Sequence, residues 1–361
     1  MKYLKTKYIL FIRWSVLLSL LAFIIVSSFN AGVAEFYSRN LYPAISYIMS
    51  AIASLFTFSL DEWAIFVMAV LIIVLPVYWR KKRNKTWKSV LFGEVEFILW
   101  IYVWFYIGWG INYYRESFFS RAGIVPAEYN ETQFRQFVDR YIDDVNNSML
   151  PARVFAEMDK SYIRDEIKRS YSHLSSVYGL SKPHSFQHPK KLSFNFLYSG
   201  TGVLGFMGPF FSESHINMQI SPLEYPFTYA HELSHLLGIS NEAEANLWAY
   251  QACLHSSDRR IQYSGYFGLL QYVLINSSYL LDEDEYKEKI LMKLNPEIIQ
   301  QLKDKQEHWL NLYSPFWGEI QSAIYEMYLK GNKISSGQKN YAQVIGLLLS
   351  LPEQKVKFVS E

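Results

Sequence analysis

Residues 230–250, AHELSHLLGISNEAEANLWAY, decide how the chain is read. Within them stands His231-Glu232-Leu233-Ser234-His235. On a helix, residues four apart share a face, so both imidazoles can reach one metal ion with Glu232 beside them. A catalytic zinc takes three protein ligands and keeps a fourth position for water, whose proton a neighbouring carboxylate can remove. His231 and His235 are therefore the expected first two ligands, Glu232 the expected general base and Zn2+ the expected ion. The plainer reading is an amphipathic helix with two hydrogen-bonded histidines and a solvated glutamate.

A third ligand should follow closely. Gly238 suits a helix end, because glycine readily takes the left-handed conformation there, and Ser240 or Asn241 suits the cap of a second helix. Glu242 and Glu244 fall in its first turns. Glu242 is preferred: Ala245, Asn246 and Ala249 share its face, the alanines allow close helix approach, and Asn246 can steady the site from behind the ligands. Glu244, the alternative ligand, points towards Leu247 and Trp248. The pattern Glu-x-x-Ala-Asn resembles the Glu-x-x-Ala-Asp ligand helix of gluzincin peptidases, although the connection between the two helices is very short. HELSHLLGISN also reads as HExxHxxGxxH with Asn241 in the third-histidine place, where asparagine is a poor zinc ligand.

The similarity extends further. SGTGVLGFMGPFFSESHIN at 199–217, PFTYAHELSHLLGISNEAEANLWAYQAC at 226–253, YSGY at 263–266 and WGINYYR at 109–115 together resemble the domain of unknown function 3810 family of bacterial membrane proteins. With the zincin-type HELSH core, the resemblance implies a membrane-anchored, zinc-dependent, peptidase-like protein without an established substrate.

Composition agrees with a membrane protein carrying a sizeable polar part: 361 residues, 50% hydrophobic, 17% aromatic and 19% charged. A net charge of +2 says little about partners, and no block of basic residues with interleaved aromatics suggests nucleic acid. The single cysteine, Cys253, excludes an intramolecular disulfide framework and reads as a small core residue.

Residues 8–29 are long enough to cross a bilayer, with lysines ahead of them and no convincing small-x-small cleavage site behind, and are read as an anchor. Residues 41–60 are read as an interfacial helix, since Asp61 and Glu62 leave little room to turn before the next apolar run. Residues 63–79 span, and the basic residues between 80 and 88 place that end in the cytoplasm. Residues 90–109 span back, with Glu94 and Glu96 at a shallow depth or facing protein.

The chain thus divides into a membrane anchor, 1–110, and a domain, 111–361, outside the cytoplasm at a bacterial inner (plasma) membrane. Helices are expected over 131–145, 151–178, 258–279 and 297–330, a linker at 331–337 and a closing helix at 341–351. Between Pro183 and Pro189, His184 and His188 are read as loop residues. Strands are expected over 191–198 and 214–220, with a glycine-rich loop between. The second would be the edge strand that lays an extended substrate beside the site, through His215 and Asn217. A tyrosine (Tyr263, Tyr266 or Tyr272) or a histidine from this region is a candidate oxyanion stabiliser, while His255 and His308 read as surface or capping residues.

The expected fold class is mainly α: N-terminal transmembrane helices followed by a helical zincin-like metallopeptidase domain with a small β-sheet. The expected activity is zinc-dependent hydrolysis of a peptide or protein, with membrane lipid as the other partner. The rival is a non-catalytic, zinc-stabilised membrane module that binds a partner or cell-envelope component, its site closed by Asn241, Glu244 or His215.

Overall fold

The computed structural model describes residues 2–128, 130–174, 178–332 and 343–351. The chain forms two compact units, Met1–Glu116 with Gly208–Glu213, and Ser117–Met207 with Ser214–Glu361.

In the first unit three helices are long and apolar enough to cross a membrane: Lys7–Phe29, Leu60–Lys81 and Trp87–Gly108. Each boundary has a local cause. Ser59 Oγ accepts the Glu62 N–H at the start of the second helix, Arg80 and Lys81 complement the partial negative charge at its end, and Thr86 caps the third. Glu96 faces protein, paired with Arg13 of the first helix at 2.6 Å. Of the segment read as an interfacial helix over 41–60, the α-helix is Tyr42–Ser54, and Leu60 already begins the next long helix; Tyr42–Ser54 buries Tyr42, Ser46, Ser50 and Ala53, a stripe made mostly of small and hydroxylated side chains.

The acidic pair after residue 60 does more than interrupt two apolar runs. Asp61 accepts the N–H groups of Phe210 and Phe211 at 2.8 and 3.1 Å. Glu213 in turn accepts the N–H groups of Leu60 and Asp61, at 3.2 and 2.9 Å, and the Ser59 hydroxyl at 3.2 Å. Each of the two buried carboxylates thus accepts backbone N–H groups from the other's segment, the kind of pairing a buried charge requires. Gly208 is glycine because a Cβ there would lie 2.3 Å from Asp61 Cγ.

The second unit is built on Tyr225–Leu236 and Glu242–Leu254. Every residue of the first helix is buried, as are all but Gln251 and Leu254 of the second. Arg259–Leu280, Lys160–His173 and Val344–Ser350 pack around them, and Glu131–Ser148 lies on Arg259–Leu280 through Phe134, Val138, Tyr141, Ile142 and Val145. Close approach is written into small residues: a Cβ on Gly265 would fall 2.6 Å from that of Cys253, which is itself buried without exposure.

Several sequence readings need correction. Among the described residues the helix expected over 151–178 is two, Arg153–Ala156 and Lys160–His173, because Asp159 is extended and caps the second; residues 175–177 fall outside the described residues. The helix expected over 297–330 breaks between Pro296–Leu312 and Pro315–Gly331, since Tyr313 is extended and a residue before proline disfavours the helical region. The strand expected over 191–198 shrinks to β1, Lys190–Lys191, and gives way to the helix Asn195–Gly200. Inside the glycine-rich loop lies β2, Gly205–Gly208, followed by β3, Glu213–Ile216. The order is β1-β3-β2, with β1 parallel to β3. The strand before the motif is therefore the middle strand, and among the described strands β2, not the one carrying His215, borders the sheet on that side. Asn217 lies past the strand end and is buried. Residues 333–337 of the expected linker, and 341–342 of the closing helix, fall outside the described residues.

Candidate metal centre

Pro226 opens the motif helix at a position where a missing N–H costs nothing, and Leu237 ends it, with Gly238 following at φ 99°. Asn241 caps the next helix, its side chain accepting the Glu244 N–H at 2.9 Å. That connection folds the chain back so that Glu242 faces His231 and His235. The ligand-capable atoms of these three buried residues all lie within 4.8 Å of one another.

The hydrogen bonds decide which atoms those are. His235 Nδ1 lies 2.7 Å from the Ile239 carbonyl, which can only accept, so Nδ1 carries the proton and Nε2 keeps its lone pair. His231 Nδ1 likewise faces Asn246 Oδ1 at 2.8 Å. The two Nε2 atoms are 3.1 Å apart, and Glu242 Oε2 is 3.1 Å from one and 3.3 Å from the other. A tetrahedral zinc with bonds of about 2.0 to 2.1 Å has ligand atoms about 3.3 Å apart, so this triangle has the size of one face of such a polyhedron. Three lone-pair donors converging in a buried place fit a divalent cation.

Without an ion, Glu242 and His235 pair as opposite charges, and a bound cation would displace the second His235 proton. Burial raises the Glu242 carboxyl, but His235 and His231 overcome this and hold it well below the usual range. Burial lowers His235, and the Glu242 charge and hydrogen bond more than offset it, pushing it up to about 9. Glu232 is pushed up by burial, against the pull of His231 and His235, and its Oε2 has no hydrogen-bond partner among the described residues. A buried carboxylate oxygen left open beside the triad is what a proton acceptor for a bound water needs.

The other candidates are placed elsewhere. Both Glu244 oxygens are engaged, one by Trp248 Nε1–H at 2.9 Å and the other by the buried Arg121 guanidinium, which also donates to the Tyr178 carbonyl. Asn241 is committed to its cap. His215 stacks on Phe206 with centroids 4.3 Å apart, and Phe206 stacks on Tyr198. Asn217 bonds Ser199 and the Val203 carbonyl. Of the three tyrosines considered, Tyr263 bonds Gln301, while Tyr272 bonds Asn246 and so lies behind His231. His184 and His188 sit in the expected loop, the former stacked on Phe186.

Two features of the site carry no motif. Tyr325 O–H donates to Glu242 Oε1 at 2.9 Å from 83 residues away. Gly205 of β2 lies against the motif helix, where a Cβ would be 2.8 Å from Glu232 Oε1 and 2.6 Å from the His215 carbonyl oxygen. The glycine run at 199–208 hinted at a close approach, but nothing in it named the partner.

A family model described as protein of unknown function (DUF3810) matches residues 37–349. The chain belongs to the DUF3810 family. The matched span takes in Leu60–Lys81, Trp87–Gly108 and all of the His231, His235 and Glu242 cluster. No match exists among curated proteins or solved structures, so the DUF3810 assignment brings no activity with it.

Proposed function

We propose that this DUF3810 protein is a membrane-anchored zinc metallopeptidase with a zincin-like second unit, in which His231, His235 and Glu242 hold the ion and Glu232 is the general base. The observation that carries the reading is the triangle of ligand-capable His231, His235 and Glu242 atoms, with a Glu232 oxygen beside it that has no hydrogen-bond partner among the described residues. Zinc held there would supply a water of lowered pKa and polarise a carbonyl group. Glu232 takes the proton of the attacking water and delivers it to the leaving amine. Peptide is favoured as substrate because β2 is the outer strand of the described sheet and its Gly205 abuts Glu232, and an extended peptide can add to a sheet edge through its backbone. Asn241 and Glu244 are already committed to a cap and an ion pair, which argues against a closed four-ligand structural site. The basic residues between 80 and 88 support a second unit outside the cytoplasm of a bacterial plasma membrane.

The test uses the full chain in detergent. Metal analysis should give about one zinc per chain, lost in His235→Ala and Glu242→Ala. Wild type, but not Glu232→Gln, should then cleave members of a mixed peptide library. A folded wild-type protein without metal affinity would end the proposal.

A further inference from the structure

Each member of the triad has its own holder. His235 is held by the Ile239 carbonyl in the turn after its helix, and His231 by Asn246 on the glutamate helix, both local. Glu242 is held by Tyr325 on Pro315–Gly331, a helix that belongs to neither member of the pair. The carboxylate is divided between two tasks. Its Oε2 faces both histidine nitrogens at 3.1 and 3.3 Å, and its Oε1 accepts the phenol at 2.9 Å.

We infer that Tyr325 is a positioning residue that keeps Glu242 a one-oxygen ligand, so that the metal stays open to water, and that it couples the seating of Pro315–Gly331 to metal occupancy. The inference rests on the metal reading above. A carboxylate with two free oxygens readily closes both onto a cation, and the second oxygen then occupies a place that water would take. A phenol hydrogen bond on Oε1 opposes that closure, because chelation would forfeit a charge-assisted bond. Coupling is reciprocal: if the helix orients the ligand, the bound ion must favour the seated helix by the same factor. Phe316, Ile324 and Met327 on this helix are 67%, 58% and 67% exposed, so the Glu242 contact can matter to its position.

The experiment compares the full-length protein in detergent with Tyr325→Phe, which removes one oxygen and keeps the ring. Equal melting temperatures of the metal-free proteins check that the variant is folded. Zinc affinity, measured by competition with a chromophoric chelator, should fall about 10- to 100-fold. The cobalt(II)-substituted variant should absorb more weakly in the visible than cobalt(II) wild type, as a four-coordinate ion becomes five-coordinate. Zinc should slow amide exchange across Pro315–Gly331 in wild type and not in the variant. If Tyr325→Phe keeps wild-type affinity and the wild-type cobalt spectrum while His235→Ala loses the metal, the Tyr325 role is wrong and the metal site stands. If wild type binds neither ion, both fall.

Discussion

A histidine nitrogen ligates a metal only in the tautomer that leaves it a lone pair, and here both tautomers are set by acceptors behind the rings, Ile239 O and Asn246 Oδ1. Replacing Asn246 by Asp should therefore retain metal, whereas Asn246→Leu should weaken binding about 10-fold or more, read by chelator competition. Glu232→Gln keeps shape and loses basicity; with metal retained, turnover should drop by about two to four orders of magnitude. In metal-free protein, His235 carries a folded pKa of about 9 against its ordinary 6.5, after burial is outweighed by Glu242. The pair's contribution to stability is then complete below pH 6.5 and lost as pH rises towards 9, so the melting temperature of chelator-stripped protein should fall across that window, unlike that of His235→Ala. The spacing of His231, Glu232, His235 and Glu242 was legible in sequence because helical periodicity is local. Tyr325, and Arg121 on Glu244, were not, since contacts 83 and 123 residues apart leave no periodic trace. Arg121→Ala strands a buried carboxylate and should cost about 3 to 5 kcal/mol of stability, measured by denaturant unfolding.

At the scale of elements, the long apolar runs were readable and the short strands were not. A helix such as Leu60–Lys81 repeats its signal over 22 residues, while β1 has 2 and β2 and β3 have 4 each, too few for alternation to declare itself. The strand reading of 191–198 followed alternation that belongs to β1 and the helix Asn195–Gly200. The strand before the motif was given the edge because sequence order says nothing of sheet order; that order is β1-β3-β2. The break at Ser314-Pro315 was legible from the proline alone and was outweighed by the polar periodicity on either side. Gly205 tests the element directly. Gly205→Ala puts a Cβ 2.6 Å from a backbone oxygen and 2.8 Å from Glu232, so β2 or the glutamate must shift. Peptide cleavage should fall by at least 10-fold while zinc content stays near that of wild type.

For the whole molecule, an odd number of crossings has a simple topological result. If Lys7–Phe29, Leu60–Lys81 and Trp87–Gly108 all span, the connection at residues 82–86 lies on the opposite side from the segment at 30–59. Cysteines introduced at Asn84 and at Asn40 should react with an impermeant maleimide from opposite faces of sealed vesicles, and buried Cys253, the sole native thiol, gives little background. Labelling of both from one side would remove a span. The helix pair at the centre of the second unit has a further consequence, in the currency of evolutionary change. Tyr225–Leu236 has no residue facing solvent and Glu242–Leu254 almost none, so an exchange there alters volume, polarity or a hydrogen bond. Drift among DUF3810 members should therefore collect in the exposed helices, and a distant relative too diverged to align elsewhere should still be identifiable by these two dozen residues.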